Sequence, residues 1–125
     1  WPGTGAPVFF YLVLPEDPDL DHWWQMGERL APLLDRPYLW IGSGGVVHNL
    51  MKLDWSRRFG SGAEWAEAFA DWVTDALARG DRERITHPLA GPGGAWALPT
   101  SDHYAPLVLV AALAEPATLV PLYKG

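Results

Sequence analysis

Cysteine is absent from the 125 residues, which excludes disulfides, thiolate nucleophiles and cysteine-based zinc sites. Positive charge is scarce: Lys plus Arg is 9 against 15 Asp plus Glu, for a formal net charge of -6. An acidic chain without a basic stripe is a poor fit to nucleic acid or to an anionic membrane surface. No apolar run approaches the ~20 residues needed to span a bilayer, and no signal peptide is visible, so the cytoplasm is the expected compartment. Neither His-x-x-x-His nor His-Glu-x-x-His occurs, which leaves no local metal motif. The one glycine-rich loop lacks a P-loop lysine and the full dinucleotide fingerprint, and Gly-x-Ser-x-Gly is not present in frame around Ser43. Internal repeats and low-complexity tracts are missing as well. There is also no initiating methionine: the chain opens Trp1-Pro2-Gly3 and stops at Tyr123-Lys124-Gly125. Both ends read as cut, and a fragment of a longer protein is expected.

What is present excludes disorder: 49% of residues are hydrophobic and eight are tryptophan. The length suits one domain, residues 1–125, with a modest core. The chain is organised around residues 41–50, Ile-Gly-Ser-Gly-Gly-Val-Val-His-Asn-Leu. An apolar run, residues 38–41, enters this stretch and reads as a short buried strand. Three glycines among four residues then let the backbone bend and keep side chains away from whatever approaches. His48 follows, with Asn49 beside it. A strand that ends in a glycine turn and then presents polar groups is a common way for an α/β sheet to place chemistry at its edge. The plainer alternative is a strand-to-loop bend with a surface histidine.

Residues 8–14, Val-Phe-Phe-Tyr-Leu-Val-Leu, are continuously apolar and fit a central strand covered on both faces. Turn residues follow, and Asp19 or Asp21 can cap a helix on which Trp23, Met26, Leu30 and Leu34 recur at helical spacing. Pro32 is expected to kink or end it. Strand, helix, strand makes a βαβ unit, with a parallel pair and a right-handed crossover. The fold class is therefore α/β, a central mostly parallel sheet flanked by helices and incomplete at both ends. Lys52, Arg57 and Arg58 form the densest positive charge and read as solvated surface. Ser61-Gly-Ala-Glu64 has the form of a capping box. Trp65, Phe69, Trp72, Val73, Ala76 and Leu77 then give one apolar stripe, closed by Gly80 at the C′ position. Residues 81–99 are rich in Gly and Pro and read as a long loop of the kind that often serves or covers a site. Thr100 or Asp102 can cap a further helix with Tyr104, Leu107, Val108 and Ala111 on its apolar face and Pro106 in its first turn. A final strand is expected over residues 118–123.

Of the four histidines, His48 and His103 each lie where a loop meets a regular element. His22 reads as a boundary residue on the first helix, and nothing selects His87. A site using His48 and His103 together has to assemble through the fold, because their spacing alone does not unite them.

Residues 41–50 resemble the Gly-Ser-Gly-x-x-x-His-Asn-Leu signature of class III extradiol ring-cleavage dioxygenases, the LigB-like superfamily, and above all its DOPA 4,5-dioxygenase branch. The resemblance continues through residues 27–34, Trp65-Ala-Glu-Ala-Phe-Ala-Asp-Trp-Val73, Gly80-Asp81 and Pro99-Thr100-x-x-His103-Tyr104-x-Pro106-Leu107. It implies an α/β sandwich, the C-terminal portion of a catalytic domain that opens a catechol ring with dioxygen. It further implies non-haem iron(II), with zinc in some relatives. On this resemblance His48 is the proton-handling catalytic residue and His103 a metal ligand, with further metal histidines supplied by an absent N-terminal half. Asn49 and Tyr104 are candidate substrate contacts, and each could equally pack. Whether Asp102 or His103 faces the metal stays open. The residue types suit the chemistry: imidazole and oxygen ligands hold iron(II), and an imidazole exchanges protons near neutrality. A rival reading, a Memo-like binding or signalling protein on the same scaffold, would keep the cleft and histidines without ring cleavage.

Overall fold

The computed structural model describes residues 13–15, 17, 19–49 and 63–114. Helix α1 spans Leu20–Leu30, and its N-cap is Asp19, whose carboxylate accepts from the Asp21 backbone N–H. Pro32 ends it, because a proline has no N–H to bond back along the helix and its ring clashes with the preceding turn. The chain tightens instead into a 3-10 turn, Ala31–Asp35. The buried face differs from the expected stripe. It runs through Leu20, Trp23, Trp24 and Gly27, while Met26 and Leu34 are exposed. Two neighbouring tryptophans and a glycine displaced the stripe by about one position.

Helix α2, Glu64–Arg79, buries Phe69, Val73 and Ala76 along the expected face and ends at Gly80, which is left-handed (φ 62°). Its carbonyls at Ala76 and Leu77 accept from the Gly80 N–H, which closes the end. The start departs from the expected capping box. Ala63 is the N-cap, without a side-chain bond, and Glu64 is already the first helical residue. Glu64 therefore sits too early in the helix to reach back as a box requires.

The expected loop over residues 81–99 contains short helices. These are α3 (Arg82–Thr86), a 3-10 turn (Pro88–Ala90) and α4 (Gly94–Ala97). Each is too brief to show a periodic pattern. Asp81 caps α3 by accepting from the Arg84 N–H. Arg82 ties α3 to α1 by stacking over Trp24 and pairing with Asp21 and Glu28.

Helix α5, Ala105–Ala114, has six of its ten residues buried and so is a core helix rather than an amphipathic surface one. It packs chiefly on α1. The two backbones meet at Gly27, where an added Cβ would fall 2.5 Å from the Leu109 carbonyl oxygen and 2.6 Å from the Ala112 Cβ. The core is completed by Ile85, Ala97, Leu98 and Tyr104.

No strand forms among the described residues. Of the expected strand over residues 8–14, residues 8–12 lie outside them, and Val13, which is described, is 85% exposed rather than covered. The expected strand over residues 118–123 also lies outside them, as do Lys52, Arg57, Arg58, Ser61 and Gly62. Residues 38–41 are described and correct the expectation of a buried strand. Leu39 is 82% exposed and Ile41 78%, and only Trp40 is partly covered. The pattern is one residue in, its neighbours out, as on an extended segment packed on one side. An apolar run shows which side chains need cover but not which segment supplies it. No helix among the described residues is long and apolar enough to cross a membrane.

Candidate functional site

The glycine loop lies directly against the turn that precedes α5. An added Cβ at Gly44 would stand 2.1 Å from the His103 carbonyl oxygen, and one at Gly42 would stand 2.8 Å from Val110 Cγ2 and 2.9 Å from the Pro106 oxygen. The close approach is sealed by the Gly45 N–H, which donates to the His103 carbonyl at 2.9 Å. Beyond the glycines the chain is held on its other side. The His48 N–H donates to the Ala97 carbonyl at 2.7 Å, and Asn49 Nδ2 donates to the Trp96 carbonyl at 2.6 Å. Between these anchors the rings of His48 and His103 stack, with centroids 3.5 Å apart and planes 24° from parallel. The fold thus unites the two histidines that the sequence leaves far apart.

The turn before α5 is closed by Ser101, whose carbonyl accepts from the Tyr104 and Ala105 N–H groups. The Ser101 hydroxyl donates to the Asp17 carbonyl at 2.7 Å. The Thr100 hydroxyl is engaged with the Asp102 carboxylate, so Thr100 does not provide the expected helix cap. The Asp102 carboxyl is held below the usual carboxylate range by that hydroxyl, with partial burial opposing and His103 assisting. Its other oxygen lies 3.5 Å from His103 Nε2, within ion-pair range.

Tyr104 lies in the core. Its ring is fully buried and its hydroxyl has no hydrogen-bond partner among the described residues. Burial pushes that hydroxyl's pKa far up. Leaving a buried hydroxyl unpaired costs about 1–3 kcal/mol. Tyr104→Phe is therefore expected to hold or raise the melting temperature. A fall of several degrees in thermal denaturation would show that the hydroxyl has a partner.

An open, largely apolar cleft of about 280 Å³ lies between the glycine loop, α2 and α5, lined by Gly42, Gly44, Thr74, Leu77, Pro106 and Val110 among others. Neither His48 nor His103 lines it. The stacked histidines therefore stand outside this cleft.

The remaining histidines stand apart. His87 packs on its own turn through Thr86 Oγ1 and the Glu83 carbonyl. His22 is exposed and pairs with Asp17 at 3.0 Å and with Asp19 at 3.5 Å. The Asp17 hydrogen bond, aided by the charges of Asp19 and Asp17, raises the His22 pKa, and the same bond to His22 leads the lowering at Asp17. A raised histidine contributes stability that is full below its unfolded pKa, about 6.5, and is lost as pH rises through the folded value. A lowered aspartate contributes above its unfolded pKa, about 3.9, and loses this as pH falls through the folded value. The pair therefore stabilises most between those limits, weakly because it is solvent-screened. A proton NMR titration is expected to show the His22 pKa falling in Asp17→Asn. An unchanged titration would remove Asp17 as the cause.

Two imidazoles and a nearby carboxylate are donor types that suit iron(II) or zinc. Among the described residues, however, no group of three or more His, Cys, Asp or Glu side chains is arranged to hold a metal. The donor chemistry fits, and the donor number is at most part of a shell. The anchoring carbonyls of Trp96 and Ala97 were not foreseen from the sequence. The only signal was the density of glycine at Gly91, Gly93 and Gly94, which marks a close backbone approach.

No protein-family model matches the chain. It is 35% identical over 108 residues to a 4,5-DOPA dioxygenase extradiol of Portulaca grandiflora, which covers 85% of this chain and 39% of that protein. The protein of the same name from Escherichia coli K12 is 33% identical over 115 residues, covering 88% of this chain and 41% of the relative. The Beta vulgaris protein of that name is 34% identical over 109 residues. The chain spans about two fifths of the length of the curated relatives it matches. Among solved structures, an uncharacterised protein from Escherichia coli K12 has a similar fold, with a TM-score of 0.67 at 31% identity over 75% of this chain and 39% of that one.

Proposed function

We propose, on the premise that this chain is a sequence relative of the 4,5-DOPA extradiol dioxygenases over most of its own length, that it carries the proton-handling part of a catechol ring-opening site. The observation that carries the reading is the stacked pair, His48 on His103 at 3.5 Å, formed by the two motifs that also carry the sequence resemblance. Every curated relative reported above is named as a dioxygenase, so the Memo-like binding protein is not favoured.

In this reading His103 is one ligand of a non-haem iron(II), or of zinc in its place, and the remaining ligands come from residues beyond those described. Bound iron(II) supplies the centre at which a catechol such as DOPA and dioxygen meet. His103 suits the ligand role better than Asp102, because the Asp102 carboxylate already accepts from Thr100. A carboxylate facing the second nitrogen of a ligand histidine is a usual supporting arrangement. His48, as neutral imidazole, takes the proton from a catechol hydroxyl and returns it as the ring opens. Its place on the pinned loop supports a role beside the ligand rather than in the shell. The Asn49 amide nitrogen already donates to the Trp96 carbonyl, which leaves that nitrogen unavailable to substrate. Tyr104 would need to leave the core to make such a contact.

The complete protein, loaded with iron(II) and given DOPA, is expected to consume one dioxygen per ring opened. His103→Ala should lower metal occupancy itself. Losing an outer partner of a metal ligand already costs about 10–100-fold in affinity, and losing the ligand should cost at least as much. Equal metal in variant and parent would move His103 out of the shell and bring Asp102 forward.

A further inference from the structure

We propose that Asn49 is a positioning residue for His48, latching the histidine loop to the C-terminal carbonyls of α4. The inference rests on the reading of His48 as the proton-handling residue, and it assigns the Asn49 amide nitrogen to the protein rather than to substrate. Two successive residues of the loop bond two successive carbonyls: Asn49 Nδ2 to Trp96 and the His48 N–H to Ala97. The last carbonyls of a helix have no partner within it, so they are ready acceptors. One bond would fix a point on the loop. Two adjacent bonds also fix its rotation, and with it the direction in which the His48 side chain leaves the backbone.

A latch positions only if it closes on something fixed, and α4 meets that condition. An added Cβ at Gly94 would stand 2.4 Å from the Pro88 oxygen, and one at Gly91 would stand 2.8 Å from Trp72 Cε3. Gly93 is left-handed (φ 71°) and lies against Trp65. The Trp96 ring meets Trp65 edge-on at 6.2 Å, and Ala97 and Leu98 are buried. Helix α4 therefore cannot shift without disturbing α2. The placement of His48 against His103 is referred through Asn49 to a rigid part of the core, while its other side is held by Gly45 on the His103 carbonyl.

The test uses Asn49→Ala and Asn49→Asp in the complete protein. The aspartate keeps the shape and one acceptor oxygen but sets a carboxylate against the Trp96 carbonyl. A displacement of about 1 Å at a reacting group can cost ~10²-fold, so kcat for DOPA is expected to fall by about that factor in both variants. KM and bound metal should stay near wild type. Independently of turnover, the His48 ring proton shift caused by stacking on His103, read by NMR, is expected to collapse in both. That readout survives even if the protein cleaves no catechol, so failure of the functional reading and failure of the latch are distinguishable. KM rising with kcat unchanged would make Asn49 a substrate contact. A retained stacking shift would show that the latch does not set the pair, and either result overturns the proposal. Should Asn49→Ala not fold, Asn49→Ser, whose hydroxyl is too short to reach the carbonyl, takes its place.

Discussion

Replacing His48 by alanine in the complete protein is expected to lower turnover by about 10²–10⁴-fold while leaving metal content near wild type. The magnitude follows from the role. A positioned acid–base group contributes that much to a step in which a proton moves, and alanine offers neither base nor acid. The unchanged metal content follows from the geometry, since His48 stands beside His103 ring on ring and, among the described residues, completes no group of three donors. Colorimetric assay of the ring-opened product, with metal analysis on the same preparations, reads both halves. Undiminished cleavage would remove His48 from the chemistry. Loss of metal in step with activity would instead make it a ligand.

Gly44→Ala is expected to be nearly as damaging, although alanine is the smallest possible change. The new Cβ would stand 2.1 Å from the His103 carbonyl oxygen, where real contacts begin at about 3 Å. The obstacle is backbone, which cannot swing aside as a flexible side chain can. Loop and turn must part by about 1 Å, which strains the Gly45 bond to the same oxygen and unstacks the rings. Overpacking of this kind costs about 1–3 kcal/mol in stability, and the displacement about 10²-fold in rate. Gly45→Ala is the control. Its Cβ would meet nothing nearer than the Val47 oxygen at 3.5 Å, so it should be tolerated. Neither glycine has a positive φ, so backbone strain is not the cause in either case. Equal behaviour of the two variants would show that the close approach at Gly44 does not hold the site together.

The long helices and their ends were legible because single residues dictate them. Asp19 caps α1, Pro32 ends it, and Gly80 ends α2 in the left-handed conformation that glycine adopts more readily than other residues do. Register was harder. Ser61 and Glu64 have the spacing of a capping box, yet the helix begins at Glu64, because the pattern marks a neighbourhood and not a residue. The face of α1 was misplaced because Met26 fits the period as well as Trp24 does, and size decides which is buried. In residues 81–99 the helices are single turns, below the length at which periodicity exists. The site divides the same way. The motifs single out His48 and His103, which the fold brings ring to ring, whereas the surfaces that hold them are backbone carbonyls, which every residue has and no sequence distinguishes.

The pairing of α1 with α5 bears on when, and not only how, the histidines meet. The first described helix docks on the last, so the contact closes a loop of nearly the whole described chain. Closures between distant segments are slow relative to local helix formation, because the chain entropy of the loop is lost before any contact compensates it. His103 lies just ahead of α5, and Gly44 follows nine residues after the 3-10 turn that ends at Asp35, so the seam between them also needs α5 in place. On a ribosome that event waits until α5 has emerged. The stacked pair can therefore form only after that point in synthesis.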